Sequence, residues 1–192
     1  MKNIKIGRKK MSKKVLVPLA RGFEELEFVS IVDILRRAGA DVVVASLDEN
    51  LLVKGAHGIN MQADICIDSV NISDFDAISL AGGYEGMMNL KNNAKILEFI
   101  QILFKEKKLV SAICASPIVL NEAGVLSKKF TCYPGCEQGL NAEYEKSAVV
   151  LSDNVITGAG PALGVKFALA LVRYLYGDEV YQRLYKELLM DL

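Results

Sequence analysis

A strand–helix–strand opening constrains this chain more than any other feature. "VLVPLA" (15–20) is a short apolar run ended by Arg21 and Gly22, and reads as a strand. "EELEFVSIVDILRRAG" (24–39) reads as a helix, with Leu26, Val29, Val32 and Leu35 recurring at helical spacing. Its first turn holds Glu24, Glu25 and Glu27, its last turn holds Arg36 and Arg37, and Gly39 stops it. That charge order suits the helix dipole, and the glycine suits a helix end. "DVVVASL" (41–47) is a second strand, β-branched and continuously apolar. Two strands joined through a helix lie parallel. Pro18 removes one donor from the first ladder, and the run keeps its strand character around it.

The alternation continues to the end of the chain. "LLVKGAHGINMQADICI" is a hairpin-like excursion with glycines at its turn. "DAISLAGG" (76–83) and "LVSAIC" (109–114) are further apolar strands, separated by the amphipathic "AKILEFIQILFKEKK". "SPIVLNEAGVL" predicts a short helix with Pro117 early, where its missing N–H matters least. "KFTCY" predicts a brief strand, and "SAVVLSDNVITG" a hairpin about Asp153 and Asn154. "PALGVKFALALVRYLYG" predicts an apolar helix from Pro161 to Gly177. The closing "DEVYQRLYKELLM" puts Val180, Leu184 and Leu188 on one face. The reading is a single α/β domain, a mostly parallel sheet with helices on both faces.

Composition narrows the function. Of the 192 residues, 52% are hydrophobic, enough for a large core. Lys+Arg and Asp+Glu are 23 each, so the chain lacks the basic excess of a nucleic-acid binder. "MKNIKIGRKKMSKK" is the exception, with basic residues and no acid. Residues 1–13 are read as a basic lead outside the fold, with a start at Met11, and 14–192 as the domain. The lead has no apolar signal core, and no run is long enough to span a membrane, so a cytoplasmic protein is expected. The four cysteines, Cys66, Cys114, Cys132 and Cys136, are then expected as reduced thiols. Cys132 and Cys136 have a C-x3-C spacing, but with one histidine, His57, and no second cysteine pair, no metal site is expected.

Sites in open α/β sheets lie beyond the carboxyl ends of strands. Cys114, Glu27 and the Gly82–Gly83 pair all fall at such ends. Cys114 is followed by Ala115, Ser116 and Pro117, small residues and a helix start. This suits a nucleophile elbow, and a helix N-terminus favours a thiolate; a buried packing cysteine fits the local sequence equally. Glu27, if turned inward, would be kept protonated by burial and donate to the sulfur. Glu24 and Glu25 are expected in solvent. The N–H groups of Gly83 and Ala115 are candidates for an oxyanion hole.

"GFEELE", "LAGG", "AICASP" and "ITGAGPALGVKFALALV" together resemble the ThiJ/PfpI superfamily, in its branch of the parkinsonism-associated protein and small bacterial relatives. The resemblance runs from about residue 15 to about 185. It implies a flavodoxin-like fold, a homodimer and no cofactor. It makes Cys114 the reactive, oxidisable cysteine, Glu27 its carboxyl partner, and Gly83 and Ala115 the backbone donors. Cys66 falls near an interface cysteine of some relatives, and His57 in a segment that approaches the dimer partner. Two positions depart from the wider superfamily. Tyr133 stands where many members have a histidine, and Ala115 where the protease branch has one. That counts against proteolysis and amidotransfer, since tyrosine is a poor base at neutral pH. Cys132 and Cys136, flanking Tyr133–Pro134, are candidate resolving thiols. The implied functions are a glyoxalase or deglycase acting on a small reactive aldehyde or a glycated protein, and a peroxide sensor or redox-regulated chaperone.

Overall fold

The computed structural model describes residues 12–126 and 128–192. The opening unit folds as its pattern requires. β1 (Lys14–Leu19), α1 (Glu25–Arg37) and β2 (Asp41–Ser46) place two parallel strands in register, from Lys14 opposite Asp41 to Leu19 opposite Ser46. β3 (Leu52–Lys54) and β4 (Asn60–Gln62) form a separate antiparallel hairpin. β5 (Ile65–Cys66) then joins the sheet beside β2. β6 (Ala77–Leu80) crosses to the other side of β1. α2 (Tyr84–Lys91), α3 (Ala94–Lys105), β7 (Leu109–Ile113) and α4 (Pro117–Glu122) follow. β8 (Lys129–Phe130) pairs with β9 (Glu143–Tyr144), and β10 (Val149–Ser152) turns back into β11 (Val155–Gly158). α5 (Gly164–Tyr176) and α6 (Asp178–Glu187) close the chain.

The main sheet runs β10-β11-β7-β6-β1-β2-β5, antiparallel only at β10. Within it, β2-β1-β6-β7-β11 is the 2-1-3-4-5 order of flavodoxin-like folds. β2 and β6 leave β1 in opposite directions, which opens a crevice at its carboxyl end. Pro18 is tolerated in this central strand because the β1–β6 ladder pairs only Val15 and Leu16 and has ended before it.

Alternate strand residues feed two cores. Val15, Val17 and Leu19 join Phe28 and Ile31 of α1 and Phe167 and Leu171 of α5 on one face. Leu16 and Ile78 join Leu90, Ile96 and Val119 of α2, α3 and α4 on the other. Because the central strands β6, β7 and β11 are covered on both faces, they are buried throughout, with only the small hydroxyl residues Ser79, Ser111 and Thr157 among their apolar ones. No helix among the described residues is long and apolar enough to cross a membrane.

Two local expectations need correction, and one helix, α2, carries no sequence signal. The buried stripe of α1 is Glu27, Phe28, Ile31, Ile34 and Leu35; Leu26 is 63% exposed and Val29 45% exposed. A glutamate lies in the stripe, and that disguises its phase. α2 has no clear apolar period in "YEGMMNLK", and it is held by burial of Met87 and Leu90. The last long helix begins at Gly164, after a separate 3-10 turn, Pro161–Leu163. Of the basic lead, residues 1–11 lie outside the described residues. Lys13 is anchored, its ammonium 2.8 Å from Asp76 and its N–H bonded to the Tyr176 hydroxyl.

Candidate active site

Cys114 follows β7 directly and takes a left-handed backbone, φ 65°. For a residue with a Cβ this costs on the order of 1–2 kcal/mol, so the surroundings must impose it. They do so from three elements. The Cys114 N–H donates to the Gly158 carbonyl at the end of β11, 2.9 Å away. Its carbonyl accepts the Tyr133 N–H at 2.9 Å. The buried Ser116 hydroxyl donates to the Ala81 carbonyl after β6 at 2.6 Å. Pro117 then opens α4. The elbow is therefore tied to the strand ends on either side of β7.

Glu27 enters from α1 and is 0% exposed. Its Oε2 accepts the Gly82 N–H at 2.7 Å, while Oε1 is buried with no hydrogen-bond partner. Gly82 sits between the two functional groups. A Cβ there would lie 2.5 Å from Cys114 Cβ and 2.6 Å from Glu27 Oε2, so only glycine lets carboxyl and thiol meet. Gly83 has φ 89° and lies against Gly22, where a side chain would strike the Gly22 carbonyl.

Burial raises the Glu27 carboxyl from 4.5 to about 7; the charge of Glu24 adds to this, and the Cys114 thiol and Gly82 N–H oppose it. Burial, then the charge of Glu27, push the Cys114 thiol up, while the N–H groups of Gly83 and Ala115 bond to the sulfur and pull it down. The pair therefore resists holding two negative charges. When Glu27 is neutral its repulsion of a thiolate is gone and both N–H donors remain, while burial still raises the thiol. Cys114, Glu27, Gly83 and Ala115 are thus brought together around one sulfur atom.

The other candidates are distributed differently. Glu24 and Glu25 are buried, contrary to the solvent positions expected. Glu24 caps α1, its Oε2 accepting the Glu27 N–H at 2.8 Å. Glu25 holds the β3–β4 turn, its Oε1 accepting the N–H groups of His57 at 2.7 Å and Ile59 at 3.3 Å. His57 is an exposed side chain whose Nδ1 lies 2.9 Å from Glu25 Oε2. That hydrogen bond raises the imidazole; burial raises the Glu25 carboxyl, but its hydrogen bonds outweigh this and the net shift is downward. Glu24, Glu25 and His57 are also the one cluster of metal-ligand type among the described residues, with donor atoms within 4.8 Å of one another. The Glu25–His57 pair already satisfies it.

Tyr133 is 50% exposed, with its ring against Gly160. All four cysteines are free thiols. Burial, with Cys136 and Glu137 nearby, pushes Cys132 up to about 12, and burial also raises Cys136. Cys132 Sγ is 4.0 Å from Glu137 Oε2, and the Cys136 N–H returns to the Tyr133 carbonyl. The groups acting on the Cys114 thiol are Glu27, Gly83 and Ala115, and neither loop cysteine is among them. Cys66 lies half-buried on the edge strand β5. The clamps on the elbow, Ser116 and Gly158, carry no sequence signal, because they act through a backbone the fold alone assembles.

The family model described as the DJ-1/PfpI family matches residues 13–174. Protein dj-1beta of Drosophila melanogaster is 36% identical over 184 residues, 94% of this chain and 98% of its own. Its crystal structure has a TM-score of 0.88 at 37% identity, covering 93% of this chain and 98% of that one. The structure of oxidized Toxoplasma gondii DJ-1 likewise has a TM-score of 0.88, at 36% identity over 93% and 98%. Protein DJ-1 homolog B of Arabidopsis thaliana is 36% identical over 168 residues, and there the chain covers 86% of itself but only 38% of the longer plant protein.

Proposed function

The chain belongs to the DJ-1/PfpI family, and from that premise we propose a cofactor-independent enzyme that acts on reactive carbonyls, with Cys114 as nucleophile and Glu27 as acid–base group. The observation that carries the proposal is the fully buried Glu27, bonded through one oxygen to Gly82 and held beside a strained cysteine. A carboxyl raised to about 7 gives and accepts protons at neutral pH.

The thiolate adds to the aldehyde carbon of a 2-oxoaldehyde, forming a C–S bond, and the oxygen takes up a proton. Glu27 removes the hydrogen from that carbon to give an enediol, and a proton returned to the neighbouring carbon leaves a thioester. Water cleaves the thioester, releasing a 2-hydroxy acid and the free thiol. The sum is aldehyde plus water to hydroxy acid, so no external oxidant is needed. Gly83 and Ala115 N–H groups stabilise negative charge at the sulfur. A glycated protein amine enters the same scheme when the Cys114 thiol displaces it from its early hemiaminal adduct: the C–S bond forms, the C–N bond breaks, and the amine leaves with the thiol's proton. Working as a cytoplasmic homodimer belongs to the same proposal.

The test is methylglyoxal with the wild type and Cys114→Ala, following lactate. Cysteine-dependent lactate supports the proposal; equal product from both proteins at millimolar substrate removes it.

The unpartnered Glu27 Oε1 favours a second reading, a peroxide sensor. Two peroxide molecules would take the Cys114 thiolate through sulfenate to sulfinate, each reduced to water, and neutral Glu27 would donate to a sulfinate oxygen. Mass spectrometry after mild peroxide tests it: Cys114 should oxidise before Cys66, and equal oxidation of the two rejects it.

A further inference from the structure

One cavity lies outside the thiol site and close to it. A cleft of about 400 Å³ opens between the loop after β8, the start of β10 and the turn before α5. Its walls include the rings of Tyr133 and Tyr144 together with Pro134, Pro161 and Leu163. These walls are stiff. Tyr144 stands edge-on to the buried Phe130 ring at 5.8 Å, Tyr133 lies against Gly160, and the prolines have little freedom to lose on binding. The volume is at the small end for ligand pockets, suited to one ring with a short chain.

Lys146 stands on the rim, exposed and without an ion pair among the described residues. Two nearby acids have other partners. Glu145 pairs with Lys129 at 2.5 Å, and Glu137 accepts the Gly135 N–H at 2.6 Å. An apolar slot with a single free ammonium at its mouth matches an apolar group that ends in a carboxylate.

We infer that this cleft binds a small organic acid made of one flat or branched apolar group and a carboxylate, the group lying between Tyr133 and Tyr144 and the carboxylate meeting Lys146. The site touches the elbow through the backbone. Tyr133 is both a wall and the residue whose N–H holds the Cys114 carbonyl, and the lining residue Ala159 follows Gly158, which holds the Cys114 N–H. Binding itself needs no chemistry at sulfur, so the inference stands apart from the enzymatic proposal.

The probe is 3-phenylpropionate, titrated into the isotope-labelled full chain and followed by amide NMR. Saturable shifts confined to residues 133, 144–148 and 159–163 are expected, with a Kd of roughly 0.1–1 mM for a ligand of this size. The Cys114→Ala protein should bind equally. Lys146→Ala should weaken binding about 3- to 5-fold, as for an exposed ion pair, and the neutral 3-phenylpropionamide should lose the same factor on the wild type. Ala159→Arg, which fills the slot, should abolish binding; the amide comparison on unmodified protein stands even if that variant misfolds. Absence of saturable shifts at about 20 mM, shifts centred elsewhere, or equal affinity for acid and amide would each overturn the inference. Shifts at 159–163 that follow protein concentration without ligand would mean a second copy covers the cleft, and would overturn it as well.

Discussion

At the scale of single residues, the decisive feature is that one carboxyl and one thiol are buried together with less than a full complement of partners. Glu27 has a stability cost as well as a proposed chemical role. Its folded value is raised from 4.5 to about 7, so the native state holds a proton that the unfolded chain releases. Stability from this group is therefore complete below pH 4.5 and is lost as pH rises to about 7, by up to about 3 kcal/mol. Glu27→Gln keeps a neutral donor and removes that loss. The variant should melt higher than the wild type at pH 7.5, with the difference vanishing near pH 4; scanning calorimetry across that range checks it, and parallel pH curves would refute it. The same variant separates the two functional readings. Lactate formation should fall about 100-fold or more without an acid–base group. Oxidation of Cys114 to a sulfinate should survive, since an amide N–H can still donate to it.

Gly82 is the second residue whose identity is forced. A methyl group there would sit 2.5 Å from Cys114 Cβ and 2.6 Å from Glu27 Oε2. Gly82→Ala should cost about 1–3 kcal/mol by overpacking and should uncouple the pair. The observable is a thiol that reacts with a small alkylating reagent at a rate no longer dependent on the ionisation of Glu27. An unchanged pH–rate curve would show that the pair does not depend on this close contact.

At the scale of elements, the start of α1 concentrates the acidic groups around the site. Three nearby glutamates do three different jobs: Glu24 caps the helix, Glu25 holds a distant hairpin turn, and Glu27 meets the sulfur. The sequence makes Glu27 and Cys114 legible because both fall at strand carboxyl ends. It does not distinguish the glutamates' environments, since the partners of Glu25 lie 32 residues away. The apolar spacing of α1 points to Leu26 and Val29, whereas Phe28 and Ile31 are buried, because Glu27 lies in the buried stripe. The β-α-β opening, the β10–β11 hairpin and the sheet's parallel character were legible, because apolar runs and turn residues are local signals. α2 was not, because its formation depends on a core that the rest of the chain builds. Glu25→Ala should release the 55–60 turn, leaving two backbone N–H groups without their acceptor. A loss of about 2 kcal/mol is expected, with faster amide exchange confined to that turn; unchanged protection there would mean the loop holds itself.

At the scale of the whole molecule, two cores on opposite faces of one sheet take up most large apolar side chains, and of the exposed ones two fall together on α1. Leu26 and Val29 lie on α1, on the side turned away from Phe28 and Ile31, at 63% and 45% exposure. Exposed apolar surface at the helix that also bears Glu27 supports self-association there, and it would put a partner within one turn of the thiol site. The full chain should sediment as a dimer at micromolar concentration. Leu26→Lys with Val29→Lys should shift it to monomer, because neither side chain contributes to the cores and two ammonium groups would face each other across a two-fold axis. Circular dichroism of the double variant should match the wild type, which distinguishes lost assembly from lost folding. A wild type that sediments as a monomer, or a double variant that remains dimeric, would remove α1 from the interface. Where the dimer does form through α1, loss of cysteine-dependent lactate in the folded monomer would mean that the partner completes the site, and retained turnover that each subunit holds it whole.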